Sequence, residues 1–318
     1  MEKEAVVNPL CLRDMGAFHI GGRQVQLSAQ PSFERVLSDG GEPVKINLNG
    51  TYAIEQMYVQ YFLPQESNGR GPLVFWHGGG MTGAVWETTP DGRPGWVNYF
   101  VRQGWDVYVC DAVERGRSGF ASYPDIWPDK PITQTIDDVY VRFRIGDRPG
   151  SYNLDPALRT AYGNSRFPLH AFDQLAKQMV PRWTHTNEAM LDAFEALLEK
   201  LGTATVLCHS QSGPLALKLA SQCPDRVSAL IAIEPAGIPD FGANPFQTRT
   251  LIVLGDNLDL DSRWVLLKKK ITQFANASDQ VEVLSLPDLG VHGNSHVLMM
   301  DDNSQDIARR IHVWLQAT

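Results

Sequence analysis

One serine stands where its hydroxyl could become a nucleophile. Ser210 lies between ATVLCH, an apolar run of strand length, and SGPLALKLASQ, whose apolar residues recur with a helical period. A serine in so tight a strand-to-helix turn is forced into a strained conformation, and its hydroxyl stands proud at the positive end of the helix. The usual frame for such a turn is G-x-S-x-G. Here Cys208 and Ser212 replace both glycines, with Gly213 following, and both are small enough to keep the steric requirement. Ser212 is the rival nucleophile, but it falls a turn into the helix and should be less exposed.

A serine hydroxyl is a poor nucleophile without a general base. Of the eight histidines, His19 lies in an N-terminal β region, while His77 and His209 sit where the chain leaves apolar runs. His170 and His185 fall in a long irregular interval, and His312 is on a C-terminal amphipathic helix. His292 and His296 remain, in LGVHGNSHVLMMDD, a polar loop between the last expected strand and the last helix. His296, beside the helix start, is the first choice of the two. The acid that orients the base is expected between serine and histidine in chain order. Glu234 ends VSALIAIE, the strand after the nucleophile strand; Asp256, Asp259 and Asp261 follow the next strand in LGDNLDLD. A glutamate closing an apolar strand is costly to bury without a partner, which ranks Glu234 first and leaves Asp259 as the alternative acid. An oxyanion hole needs two preorganised backbone N–H groups. Gln211, the residue after the serine, offers one. The loop His77-Gly78-Gly79-Gly80 offers the other, from Gly79 or else Gly80, because glycine lets the backbone come close to a substrate carbonyl.

The segment Gly78-Gly79-Gly80-Met81-Thr82-Gly83 also satisfies G-x-G-x-x-G after a strand, the pattern of nicotinamide- and flavin-binding oxidoreductases. It is followed by the Pro- and Gly-broken AVWETTPDGRPGW where that fingerprint needs a long helix. Asp111, the acid ending the next strand, comes late for a ribose contact, and about seventy residues of other strands precede the loop. An oxidoreductase and a non-catalytic binding protein are therefore the remote alternatives. Cys11, Cys110, Cys208 and Cys223 lack zinc-type spacing, and acyl transfer by a serine implies no metal or organic cofactor.

Around these residues the chain alternates short apolar runs with helix-length stretches. PLVFWH, WDVYVCDA, ATVLCH, VSALIAIE, RTLIVLG and QVEVLSLP predict a mostly parallel sheet with helices on both faces, an α/β class. Before them, FHIGGRQVQLS and AIEQMYVQYFLP alternate at the β period with NLNGT as a turn signal, which predicts an antiparallel pair or trio. The interval 119–183 is rich in Pro, Tyr, Trp and Arg and shows no clear strand. It is too long for a structureless loop, so a mainly helical cap is expected there, inserted into a core of 1–118 and 184–318. Its aromatic and arginine content fits an aromatic or amphipathic ligand. With 43% hydrophobic and 20% charged residues, the 318-residue chain reads as a soluble globular protein. A formal charge of −8 argues against nucleic acid or a membrane surface as a partner. No segment approaches the ~18–20 apolar residues of a membrane span. The N-terminus shows no export signal, so a cytoplasmic location is expected, although a secreted mature form would read the same way.

With these residues assembled, the chain resembles the α/β-hydrolase superfamily, and within it a small group of bacterial serine esterases with an H-S-Q-S-G nucleophile motif and a glutamate triad acid. The resemblance rests on HGGGMTGAVWETTPDGRPGW, DAVERGRSG, CHSQSG, AIEPAG and GVHGNSH, in that order. It implies an α/β-hydrolase fold with an inserted cap, frequent homodimerisation, and Ser210, Glu234 and His296 as the catalytic triad, which favours Glu234 over Asp259. The implied activity is cleavage of a small-molecule carboxylic ester or lactone, with carbon–carbon hydrolysis as an alternative use of the same parts. The best known member of that group carries adjacent cysteines in the oxyanion loop, where this chain has Gly79 and Gly80. Rigidity of the loop is therefore not implied.

Overall fold

The computed structural model describes residues 9–123, 126–242 and 245–317. Strand β1 (Leu12–Leu27) runs antiparallel to β4 (Gly50–Pro64), with a separate short hairpin of β2 (Phe33–Arg35) and β3 (Val44–Ile46) between them in sequence. Six further strands follow: β5 (Pro72–Trp76), β6 (Asp106–Asp111), β7 (Ala204–His209), β8 (Val227–Ile233), β9 (Thr250–Leu254) and β10 (Val281–Ser285). They are the six apolar runs of the sequence. Together with β1 and β4 they form one eight-stranded sheet, ordered β1-β4-β6-β5-β7-β8-β9-β10. β4 meets β6 antiparallel, and every pairing from β6 to β10 is parallel.

Double-sided burial explains why the strands inside the sheet read as nearly unbroken apolar runs rather than as alternating ones, while the edge strand β10 leaves Glu282 and Val283 exposed. Leu73, Phe75, Leu207, Ile231 and Val253 pack on one face against Phe100 of α1 (Trp96–Arg102) and Ile307 and Ile311 of α7 (Ser304–Gln316). Their neighbours Val74, Trp76, Cys208, Ala232 and Ile252 pack on the other face. Their partners there come from α4 (Asn187–Leu201), α5 (Ser212–Gln222) and α6 (Ser262–Asn276), including Phe194, Leu219 and Phe274. The period-two side-chain alternation thus feeds two cores at once. No helix among the described residues is long and apolar enough to cross a membrane.

Between β6 and α4 the insertion differs from the mainly helical cap expected of it. Its α-helices are α2 (Ile136–Arg142) and α3 (Phe172–Ala176), of seven and five residues, and most of the remainder is irregular. Pro128, Pro131, Pro149, Pro156, Pro168 and Pro181 recur too often for longer helices, since each removes a backbone donor and clashes with the preceding turn. What holds the segment is burial and backbone pairing. Tyr140, Phe143, Phe167 and Phe172 join the core beside α1 and α7. Val180 N–H donates to Gly80 C=O at 2.8 Å, Arg166 N–H to Gly293 C=O at 2.9 Å, and His296 N–H to Phe143 C=O at 2.8 Å. The insertion is therefore fastened directly to the glycine loop and to the loop that carries His296.

Candidate active site

The turn between β7 and α5 puts Ser210 at φ +52°, a left-handed conformation that a side-chain-bearing residue adopts at a cost. The surroundings enforce it. Ser210 N–H donates to Ile233 C=O at 3.0 Å, and Ser210 C=O accepts from Gly213 at 3.0 Å and Ala236 at 2.8 Å. Ser212 is buried beneath the turn: its Oγ lies 2.9 Å from both Trp76 C=O and His209 C=O and accepts His209 N–H at 3.0 Å. It braces the turn and is not presented as a second nucleophile. The glycine that the turn does require is Gly213, where a Cβ would come within 2.4 Å of Pro235.

His296 Nε2 stands 2.9 Å from Ser210 Oγ, and its Nδ1 stands 2.5 Å from Glu234 Oε2. An ionised carboxylate can only accept, so Nδ1 carries the proton and Nε2 is left as the acceptor facing the serine. The ring lies among Phe143, Trp264 and His209, with centroids 5.4, 5.8 and 4.6 Å away. His209 Nε2–H in turn donates to His296 C=O at 2.8 Å. Burial lowers the His296 pKa below its ordinary value, opposed by the bond and charge of Glu234 and assisted by Arg144.

Glu234 is fully buried at φ +41°, directly after β8. Its Oε1 accepts Gly255 N–H at 2.8 Å and the Arg144 guanidinium. Burial alone would raise this carboxyl, but the Arg144 charge, with the bond from His296, overcomes it and holds the pKa down at about 2. Arg144 belongs to the insertion. It also donates to Asp256 C=O at 2.9 Å and lies 5.3 Å from the Trp264 ring centroid. The stretch RFRIG carries no motif, so Arg144 was invisible in the sequence. Its importance comes from a partner ninety residues away.

The remaining acids and His292 are elsewhere engaged. Asp259 is exposed and pairs with Lys268 at 2.8 Å. Asp261 caps α6 and pairs with Arg263. Asp256 accepts Gly293 N–H at 2.7 Å, with the exposed His292 at 3.3 Å. A further acid, Asp301, holds the histidine loop: it accepts the Ser295 N–H at 2.8 Å, the Ser295 hydroxyl at 2.7 Å and Asn294 Nδ2 at 2.9 Å. Burial pushes its carboxyl up to about 6.

The glycine loop runs past the serine. A Cβ on Gly78 would meet His209 Nδ1 at 2.6 Å, and one on Gly79 would lie 3.1 Å from Gln211 Oε1. Gly79 and Gln211, the two expected oxyanion donors, therefore sit side by side. Arg115 ties them together, donating through Nη1 to Gly78 C=O at 3.1 Å and through Nη2 to Gln211 Oε1 at 2.8 Å. With Val180 bonded to Gly80 C=O and Asp111 accepting Gly83 N–H at 2.7 Å, the loop is held without any cysteine pair. Asp111 also accepts from Arg117 at 2.8 Å, so its carboxylate is occupied within the protein, and no long helix follows the loop before α1. His77 is locked as well: Nδ1–H faces Gly78 C=O at 2.8 Å and Nε2 accepts Ala112 N–H at 2.9 Å.

Ser210 and His296 open into a cleft of about 420 Å³ walled by Trp264, Ile238 and Leu267. The profile of the alpha/beta hydrolase fold family matches residues 71–265. A solved structure described as a novel bacterial esterase is 31% identical and superposes with a TM-score of 0.82 over 98% of each chain. A probable secreted lipase, phiG, from Fungal sp. (strain ATCC 74256) is 27% identical, covering 91% of this chain and 94% of its own length. Sheet order, the strained serine turn and these matches agree: the chain belongs to the alpha/beta hydrolase fold family.

Proposed function

We propose that the chain is a carboxylic-ester hydrolase that works through an acyl-enzyme, with Ser210 as nucleophile, His296 as general base and Glu234 as the acid that orients it. The run of hydrogen bonds from Ser210 Oγ through both ring nitrogens of His296 to Glu234 carries this assignment. The relatives described as an esterase and a lipase support the same bond type.

Ser210 Oγ attacks the ester carbonyl carbon as its proton passes to His296 Nε2. The carbonyl oxygen takes the negative charge and is stabilised by the Gly79 and Gln211 N–H groups. Collapse expels the alcohol, which receives the proton from Nε2, and leaves an acyl group on Ser210. Water then gives its proton to Nε2 and its oxygen to the acyl carbon, releasing the carboxylic acid and restoring the serine. A lactone follows the same course with its alcohol still tethered. Glu234, kept ionised by Arg144, stabilises the imidazolium formed at each stage.

Mass spectrometry after treatment with a fluorophosphonate probe should find the adduct on Ser210. The Ser210→Ala variant, still folded by circular dichroism, should lose phenyl-ester hydrolysis by roughly 10⁴-fold or more. A labelled residue other than Ser210, or full activity in that variant, rejects the assignment.

A further inference from the structure

The cleft holding Ser210 and His296 is unusually cationic for a chain of net charge −8. Arg142, Arg263 and Lys270 line it, and no aspartate or glutamate does. Arg142 and Arg263 have acid partners in Asp138 and Asp261. Among the described residues no carboxylate lies within ion-pair distance of Lys270, Arg115 or Arg182.

Arg115 and Arg182 are the informative pair. Arg115 is 2% exposed, and its acceptors, Gly78 C=O and Gln211 Oε1, are neutral oxygens that leave its charge uncompensated. Its Nε is buried without a partner, and so is the Nε of the half-buried Arg182. The Arg182 guanidinium carbon would lie 3.4 Å from a Cβ on Gly79, beside the expected oxyanion donor. The pKa of each is lowered by burial and by another arginine, Arg182 opposing Arg115 and Arg142 opposing Arg182, yet both stay charged near neutral pH. Like charges crowded into a half-dry site with unmet N–H donors are costly to keep. A carboxylate on the substrate would offset the charge through the Arg182 Nη donors, the Nε atoms themselves being closed to solvent. There is room for one: Arg182 and Gln211 line a second cleft of about 520 Å³ that meets the first along Ala236, Gly237 and Ile238. Lys218 and Glu188, one charge of each sign, also line that second cleft.

We infer that the ester cleaved here carries a carboxylate, drawn in past Arg142, Arg263 and Lys270 and bound by Arg182 beside the oxyanion loop. This rests on the serine-hydrolase assignment above. Arg115 positions the loop for any ester; Arg182 selects the charged one.

Two matched ester pairs test it, with initial rates followed in a pH-stat. Monophenyl adipate against phenyl hexanoate places the carboxylate on the acyl side, and 3-acetoxybenzoate against 3-methylphenyl acetate places it on the alcohol side. In one pair the charged ester should show at least about tenfold higher kcat/KM, mainly through KM. That advantage should shrink as sodium chloride is raised from 20 to 500 mM, fall about tenfold in Arg182→Gln and return in part in Arg182→Lys. Neutral esters preferred in both pairs, or an advantage untouched by both salt and Arg182→Gln, would overturn the inference. The two failures are distinguishable: neutral esters hydrolysed without a charge preference defeat only the carboxylate, whereas no turnover of any ester with no fluorophosphonate adduct at Ser210 defeats the hydrolase assignment beneath it.

Discussion

Glu234 divides its two oxygens between two tasks. Oε2 faces His296 Nδ1 at 2.5 Å, while Oε1 takes Gly255 N–H and the Arg144 guanidinium. A glutamine at this position keeps the shape but loses the charge that stabilises the imidazolium and can present N–H₂ to a ring nitrogen that needs an acceptor. Under the proposed mechanism Glu234→Gln should therefore lower kcat by roughly 10³- to 10⁴-fold, the scale of such a change in a Ser-His-Asp triad. Asp259→Asn should stay within about twofold, because Asp259 is in an exposed surface pair. Steady-state kinetics showing the larger loss in the aspartate variant would move the acid to the later loop. That Ser210, His296 and Glu234 come together was legible in the sequence, because residue type, chain order and the end of an apolar strand constrain them jointly. Arg115, Arg144 and Asp301 were not. Nothing local marks an arginine or aspartate whose partners are brought to it by the fold.

At the scale of elements the core and the insertion behave differently. Strands β5 to β9 were legible because burial on both faces writes apolar runs of strand length into the chain, whereas the edge strand β10 exposes Glu282 and Val283 and shows mainly as a β-branched run. The insertion holds less helix than its length predicts, since it is ordered by contacts with the loops of Gly80 and His296 more than by helical periodicity. Its functional weight lies in Arg144, which fastens it to Glu234 and whose charge lowers the His296 pKa. Removing that charge raises the His296 pKa, so the protonated ring, which cannot serve as the proposed base, persists to higher pH. Arg144→Met should shift the acid limb of the kcat/KM profile to higher pH, and should cost stability on the order of 3 kcal/mol by leaving a buried carboxylate unpaired. Should that variant fail to fold, Arg144→Lys keeps the charge and should hold the limb in place while losing the fork to Asp256 C=O and Glu234. An acid limb that stays fixed in Arg144→Met would show that the insertion does not tune the base.

For the molecule as a whole, the groups that set acid stability are gathered at the same end of the sheet. His77 and His209 follow directly on β5 and β7 and are buried neutral. Burial, with Arg115 nearby, lowers His77 to about 4, and burial with His296 nearby lowers His209 to about 3. The unfolded chain returns both to about 6.5. Below that pH the unfolded state binds more protons than the folded one, so stability is present above 6.5 and is lost as pH falls toward 4 and then 3. Glu234, depressed to about 2, adds its own loss once the pH drops below its ordinary range near 4.5. Asp301 runs the other way: raised to about 6, it stabilises the fold increasingly as pH falls from 6 toward 3.8. One raised carboxyl offsets only part of two displaced rings. At about 1.4 kcal/mol per pH unit of displacement, the net loss is several kcal/mol, enough to consume much of a stability of roughly 5–15 kcal/mol. Urea midpoints measured from pH 7 to pH 4 should therefore fall steeply. His209→Gln, which keeps an N–H to offer His296 C=O but cannot titrate, should remove most of that fall, because Asp301 already offsets much of what His77 contributes. A pH slope in His209→Gln equal to that of the parent chain would mean the acid lability arises away from the buried rings.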